Sequence, residues 1–468
     1  MHKQLLAVVV SGVLAGCSLA PDYQRPDVDI INAWTPAEQQ PAAMPMGWES
    51  VFDDAALQQL IQLGLESNKD LQIALLNVEL YRKQYQIQRA ELIPSLTLNG
   101  AGTRTASSAF SGNSSISSAY SVTAGMTAYE LDLFGKIRNL KDEVLETYLA
   151  QEQVKRSTRL TIIANIVTAY LTWVADTEQL KLAQENLKIE EDNNRLVTLR
   201  YDQGIDSSVV QAQAQASYED MLVTLSRYQR LVDQDRYALV LLLGAELPTD
   251  FKPAEKLEAV KIATVGAGLP STLLNQRPDI LAAEHSLRAA NANIGVARAA
   301  LFPSISLTAN AGTESSELSG LFDSGSGAWT FAPSISLPIF NSGALRRDVE
   351  VAEIENQIAV KQYEKAVQSA FTDVSDALTA LSGYATELEN QNKALKSYQR
   401  YFDLADLRYQ SGVDSMLTRL DAQSSLVSSQ QASITARLAL YQSQIDLYKA
   451  LGGGWDQEIK PAVTSAIQ

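Results

Sequence analysis

The chain has 468 residues, 46% apolar and 7% aromatic, with a formal charge of −16 and a pI of about 4.7. So acidic a balance, with no basic stripe, excludes nucleic acid as a partner, because phosphate backbones are held by Lys and Arg. Many alanines and few aromatic side chains suit close helix packing better than a bulky globular core.

Lys3 gives a short basic start, Leu5 to Val13 a short apolar run, and Leu14-Ala15-Gly16-Cys17 closes it. This predicts a signal peptide over residues 1–16, since a spanning helix needs about 20 apolar residues. Ending on Cys, with no Ala-x-Ala pattern, is similar to the bacterial lipoprotein box. That implies a mature chain beginning at a lipid-bearing Cys17. Ser18, in place of an Asp, points to the outer membrane. A plain signal followed by a packed thiol is the alternative. Cys17 is the sole cysteine, so no disulfide is available.

Residues 17–55, rich in Pro, Ala and Gln, read as an extended N-terminal segment. A helical pattern follows from Ala55 to about Ala90, ended by Pro94. A strand hairpin is expected over about 95–131, where Tyr120, Val122, Ala124 and Met126 alternate with Ser121, Thr123, Gly125 and Thr127. A long helix is expected over about 136–201, with Ile163, Val167, Tyr170 and Val174 in its seam. Within it, Leu160 to Ala175 is the best spanning candidate, but Thr161, Asn165, Thr168 and Thr172 interrupt it. Past residue 17, no stretch reaches spanning length, so any membrane crossing falls to strands. A sharp turn and a return helix over 207–243 complete the first half.

After a linking region over 251–297 the pattern repeats. A second hairpin is expected over about 304–338, where Ile305, Leu307, Ala309 and Ala311 alternate with Ser304, Ser306, Thr308 and Asn310. Gly/Ser-rich loops, Ala106 to Ser118 and Thr313 to Ala328, join the strands of each hairpin. A helix follows over about 344–409. Its stripe runs through Ala352, Ala359, Tyr363, Ala370, Val374, Ala377, Leu381, Leu388, Leu395 and Phe402 in steps of three, four or seven. Rods of about 65 residues reach roughly 95–100 Å, too long for a globule of this size. A return helix over 415–451 and a tail over 452–468 end the chain.

The two halves share words. Arg89-Ala90-Glu91-Leu92-Ile93-Pro94-Ser95 returns 209 residues on as Arg298-Ala299-Ala300-Leu301-Phe302-Pro303-Ser304, and Leu199-Arg200-Tyr201 returns 208 on as Leu407-Arg408-Tyr409. This is a tandem duplication, with repeats over 56–250 and 298–451. Gly204 and Gly412 fit the left-handed position after a helix end, and Asp206 and Asp414 the N-cap of the next helix. The strand alternation has two readings: a soluble sandwich, or a barrel with apolar residues toward lipid. Four strands cannot close a barrel, so the second reading needs several chains.

This layout resembles the outer-membrane channels of the TolC family, in its lipoprotein OprM or NodT branch. The words that carry it are Tyr129-Glu130-Leu131-Asp132-Leu133-Phe134-Gly135-Lys136, Gln276-Arg277-Pro278-Asp279-Ile280, Arg298-Ala299-Ala300-Leu301-Phe302-Pro303, Leu337-Pro338-Ile339-Phe340-Asn341-Ser342-Gly343 and Leu420-Asp421-Ala422-Gln423. The resemblance implies an α+β membrane protein. A homotrimer would form a 12-stranded antiparallel β-barrel, four strands per chain, continuous with a long periplasmic α-helical barrel. It implies an efflux duct for small molecules such as drugs. The partners would be a periplasmic adaptor, an inner-membrane transporter of the resistance-nodulation-division type and outer-membrane lipid. The exit duct of a protein-secretion system and a lipid-anchored periplasmic coiled coil are the competing functions.

The same resemblance places Leu417 and Asp421 at the periplasmic gate, as stacked rings in a trimer. Asp421 replaces Gln213 of the first repeat, so the duplication does not require it; a solvated helix face is its plain reading. Tyr201, Asp202, Arg408 and Tyr409 are expected to stabilise the gate, with Gln410 standing where the family often has Arg. The turns at Gly204, Asp206, Ser207, Gly412, Asp414 and Ser415 are expected to meet the adaptor. His285 reads as a packed or surface residue, and Glu190-Glu191-Asp192 as a solvated helix face. The sequence has no phosphate loop, metal-ligand spacing or nucleophile constellation, and no cofactor or enzymatic activity is expected.

Overall fold

A computed structural model describes residues 18–28, 47–108, 114–263, 265–266 and 273–453. Cys17, the signal segment and most of the tail lie outside the described residues. In chain order the elements are α1 (Trp48–Val51), α2 (Ala55–Ser67), α3 (Lys69–Ala90), β1 (Thr97–Ser108), β2 (Ser114–Glu130), α4 (Lys136–Asp202) and α5 (Ser208–Leu243). There follow α6 (Leu273–Gln276), α7 (Pro278–Ala299), β3 (Ser304–Ser315), β4 (Gly327–Ser336), α8 (Ala344–Gln410) and α9 (Met416–Ala450). The helices α4 and α8 have 67 residues each, about 100 Å at 1.5 Å per residue.

The chain forms two compact units. The first (residues 1–27, 77–152 and 282–364) holds an antiparallel sheet in the order β1-β2-β3-β4, with β1 and β4 as open edges. The register collects apolar residues on one face: Ile305 opposite Ile335, Leu307 opposite Pro333, Ala309 opposite Phe331 and Ala311 opposite Trp329. Ser304 opposite Ser336 and Ser306 opposite Ser334 mark the other face. The apolar face is uncovered, with Trp329 79% and Ile335 71% exposed. An apolar sheet face that water would penalise needs a non-aqueous surround. A bulge between Met126 and Tyr129, with Ala128 at φ 52°, adds one residue and keeps Tyr129 on that face opposite Leu307. The strands run further into the expected loops than composition indicates, because Ser107 still pairs with Ser115.

In the same unit, residues after Ser18 lie along α7. Ser18 Oγ donates to Asn139 Oδ1 (2.8 Å), Asn291 Nδ2 to the Pro21 carbonyl (2.8 Å) and Tyr23 to Glu284 (3.3 Å). Burial would raise the Glu284 carboxyl, but hydrogen bonds from Arg25 and Arg288 outweigh it and hold the group below its ordinary value. His285 pairs with Glu146 (2.6 Å), a helix-packing role.

The second unit (residues 28–76, 153–281 and 365–468) holds an apolar core. Ile163, Ile166, Val167, Tyr170, Leu171 and Val174 of α4 are buried there with Leu57, Leu60 and Ile61 of α2 and Leu239 and Leu243 of α5. By length and composition α4 does reach membrane-spanning length, contrary to the expectation for this chain. More than half of its apolar window is buried within the protein, which accounts for its hydropathy. The helix expected over 55–90 is two helices. Asn68 breaks it, accepting from Leu71 N (2.9 Å) as a cap and donating to the Leu242 carbonyl (2.7 Å). In the second repeat Arg277 takes that place and donates to the Ala450 carbonyl (2.8 Å).

Where α4 meets α5, the carboxyls of Asp176 and Asp235 share a hydrogen bond, and one Asp235 oxygen is buried without a donor. Two acceptors in contact need a proton between them. Burial first, then the Asp176 charge, pushes Asp235 up to about 7; burial raises Asp176 as well, offset in part by the hydrogen bond with Asp235 and then by Arg227. The folded chain holds this proton more tightly than the unfolded one. The pair therefore stabilises most below the ordinary carboxylate value, and that contribution is lost as pH rises through about 7. Asp235→Asn is expected to stabilise the protein at pH 8 by about 1–2 kcal/mol, a full shift at ~1.4 kcal/mol per tenfold proton affinity being cut by screening. The gain should vanish near pH 4. Calorimetry at both pH values checks this, and an equal gain at both would exclude the shared proton.

Candidate gate at the helical turns

Both helical turns close the same way. Gly204 (φ 74°) and Gly412 (φ 73°) take the left-handed position. Gly204 N donates to the Tyr201 carbonyl (2.8 Å) and Ile205 N to that of Arg200 (2.9 Å); Gly412 and Val413 repeat the pair with Tyr409 and Arg408. This is the Schellman pattern, which satisfies carbonyls the helix end leaves free. The expected N-caps are corrected by one residue. Ser207 caps α5, accepting from Val210 N, and Ser415 caps α9, accepting from Thr418 N. Asp206 and Asp414 face back across the turn and pair with Arg200 and Arg408. A guanidinium six residues upstream offers a charge-assisted fork, which outcompetes a backbone amide for the carboxylate. The Arg408 hydrogen bond holds the Asp414 carboxyl below its ordinary value.

Leu417 and Asp421 stand one turn apart on α9. Leu417 is 44% exposed, and Asp421 is exposed too. The Asp421 carboxylate accepts a hydrogen bond from Tyr401 of α8 (3.2 Å). Partial desolvation, then this carboxylate, pushes the Tyr401 phenol up.

Beneath them the ends of the helices are joined. Val197, Ala214, Met416 and Leu420 form a buried cluster, with Val210 and Tyr409 packed on it. Arg419 of α9 donates to Asp406 of α8 and to Asn193 of α4, and Asn193 donates to Gln423 (3.1 Å). Glu190, expected on a solvated face, is only 5% exposed, and burial raises its carboxyl. It lies on the seam of α4 with Asn193 and Val197, three and four residues apart in turn, whereas Glu191 and Asp192 do face water.

The structure thus brings Leu417, Asp421, Arg408 and Tyr409 to one end of the unit. Tyr201 and Asp202 are exposed, and among the described residues neither side chain has a partner within the chain. Gln410 donates to Asp406 (2.7 Å). Sequence reasoning missed Arg200, Tyr401, Asp406, Arg419, Asn193 and Gln423. The missed signal lay in repeat divergence: Tyr401 stands where the first repeat has Asn193, and Arg419 where it has Gln211.

The family described as outer membrane efflux protein matches residues 60–245 and again 269–453. The chain is 46% identical over 469 residues to the antibiotic efflux pump outer membrane protein ArpC of Pseudomonas putida, covering 98% of this chain and 97% of that one. The toluene efflux pump outer membrane protein TtgC of Pseudomonas putida matches with the same identity and coverage. Among solved structures, the open state of the MtrE outer membrane channel of Neisseria gonorrhoeae is 38% identical with a TM-score of 0.87, covering 94% of this chain and 98% of that one.

Proposed function

We propose, from the premise that this chain belongs to the outer membrane efflux protein family, that Leu417 and Asp421 form its gate and the turns at Gly204 and Gly412 its docking surface. The protein is the outer-membrane channel of a tripartite efflux pump. It is a passive duct for small molecules handed over by an inner-membrane transporter and a periplasmic adaptor. Three chains, each with four strands and two open edges, close a twelve-stranded barrel in the outer membrane, and their long helices continue as an α-helical barrel in the periplasm. Its family consists of channel proteins.

The uncovered apolar face of an edge-open sheet carries this reading, since only lipid and neighbouring strands can satisfy both. The relatives' names include antibiotic and toluene efflux; apolar solvents and antibiotics are the cargo proposed for this chain. A deletion strain should become sensitive to such compounds while still secreting its proteins. Loss of a secreted protein with unchanged sensitivity would favour a secretion duct. Cys17 is proposed as the acylated anchor, and the intact mass of the mature chain is its test.

For docking, the exposed turns carry Ser207 and Ser415 at the helix starts, with Asp206 and Asp414 folded back on arginines. Gly204, Asp206 and Ser207 of one turn, with Gly412, Asp414 and Ser415 of the other, are proposed to meet the adaptor. Gly412→Val forces a branched side chain into a left-handed position, at a cost of about 1–2 kcal/mol. It should reduce efflux several-fold and leave the trimer in the membrane. Cross-links to the adaptor that form only near the strands would overturn this assignment.

A further inference from the structure

We propose that Arg104, on the uncovered face of the sheet, binds a phosphate of lipopolysaccharide in the outer leaflet, so that each chain seats a lipid A head group at the upper edge of its apolar band. This rests on reading that face as the one turned to the outer membrane.

β1 pairs with β2 from Thr97 and Gly125 to Ser108 and Ser114 without a break in register, so the outward residues can be followed along both strands. Leu98 stands opposite Ala124 and Gly100 opposite Val122; the same parity sets Gly102 opposite Tyr120 and Arg104 opposite Ser118. Arg104 therefore shares the face of Leu98, Val122 and Tyr120, not the polar face of Ser121 and Thr123. Over residues 94–128 it is the only charged residue. It is exposed, and among the described residues no carboxylate of the chain pairs with it.

Its height selects the ligand. β2 leads into α4, so the turn between β1 and β2 lies at the end away from the periplasmic helices, and Arg104 lies toward that turn. Above Tyr129 the outward residues of β2 are Met126, Ala124, Val122, Tyr120 and Ser118. A tilted strand gains about 5 Å of height per outward residue, which puts Arg104 about 25 Å above Tyr129, the height of the apolar band of an outer-membrane barrel. A tyrosine thus stands near each edge of the band, with the guanidinium just beyond the upper one. Tyr120 leans toward β1, since a Cβ on Gly102 would come 3.1 Å from its Cδ1. An unpaired cation on a lipid-facing strand is destabilising unless a head group takes it. The outer leaflet offers lipid A, a glucosamine disaccharide that carries phosphates. A guanidinium fork matches two phosphate oxygens with parallel N–H donors. Ser118 opposite Arg104, and Ser315 opposite Tyr120, add hydroxyls on the same face that suit the sugar.

The test is lipid-stripped trimer in detergent, titrated with purified lipid A and read by native mass spectrometry. Wild-type trimer should retain lipid A, Arg104→Gln several-fold less, and Arg104→Lys an intermediate amount. Lipid A freed of its phosphates should bind wild type and Arg104→Gln equally poorly. Equal retention of lipid A by wild type and Arg104→Gln overturns the site, and so does retention of phosphatidylglycerol as strong as that of lipid A. Glu317 and Asp323, on the β3–β4 connection of a neighbouring chain, are the rival partners. If one of them holds Arg104, Arg104→Gln will melt from trimer to monomer at a lower temperature even without lipid, which overturns the site. Unchanged melting there, with loss only of the rise that lipid A gives, supports it. Should Arg104→Gln fail to assemble, Ser118→Glu decides, because it sets a carboxylate opposite Arg104 to compete with the lipid. Loss of lipid A retention then supports the site, and unchanged retention overturns it. A wild-type trimer that inserts and conducts in planar bilayers yet retains no lipid A overturns this inference alone. A chain that does not insert sinks the membrane reading beneath it.

Discussion

A Gly312→Val variant is expected to leave no detectable trimer in the outer membrane. Gly312 lies in β3 opposite Thr123 of β2, and a Cβ there would come 2.0 Å from the Val122 carbonyl oxygen and 2.6 Å from Thr123 Cα. Both obstacles are backbone, so no side-chain rotation relieves them. Gly125 repeats the situation from the other strand, its Cβ meeting the Ala309 carbonyl oxygen at 2.2 Å. This seam joins the hairpin of one repeat to that of the other. Parting it would expose backbone amides and carbonyls in hydrocarbon, at several kcal/mol for each group left unpaired. Gly100→Val is the control, because a Cβ on Gly100 of β1 meets nothing within 4 Å in the chain. Heat-shifted electrophoresis of outer-membrane fractions separates trimer from monomer. Normal trimer from Gly312→Val would mean that β2 and β3 tolerate a different register from the one described.

The second large effect is expected at the gate. Leu417→Gly should raise resting conductance several-fold, and Asp421→Ala should weaken cation preference. In the trimer three Leu417 side chains would form a dry constriction, and three Asp421 carboxylates an acidic ring; such rings select cations, and apolar constrictions close by dewetting. Tyr401 donates to one Asp421 oxygen, which orients the carboxylate. Neither residue belongs to the buried cluster of Val197, Ala214, Met416 and Leu420, so both variants should assemble. Single-channel recordings with wild-type conductance and selectivity in both would return these residues to an ordinary solvated face.

What the sequence determined by itself was the repeating scaffold. Steps of three, four and seven along α8, unbroken by proline, can only be satisfied by one long helix, and α8 runs without interruption over Ala344–Gln410. Period-two alternation at Tyr120 to Met126 and at Ile305 to Ala311 is a local signal of the same kind, and so is a glycine after a helix end. The offset of about 208 residues reappears in three dimensions as matched contacts, Asn68 to Leu242 and Arg277 to Ala450. Tertiary structure alone decided the choices between partners of similar local merit. Asp206 was as good an N-cap as Ser207 until Arg200 claimed its carboxylate. Glu190 read as one of three solvated acids, yet the seam of α4 turns it inward and its neighbours outward. Tyr129 falls out of the alternation of β2 unless the bulge at Ala128 is known. Arg419 differs from Gln211 of the first repeat, but its partner could not be read, because Asn193 lies 226 residues away and the hydrogen bond exists only once α4, α8 and α9 are packed. Periodicity records what the backbone does over a few residues, whereas pairing across hundreds of residues is set by which surfaces the packed helices and strands bring together.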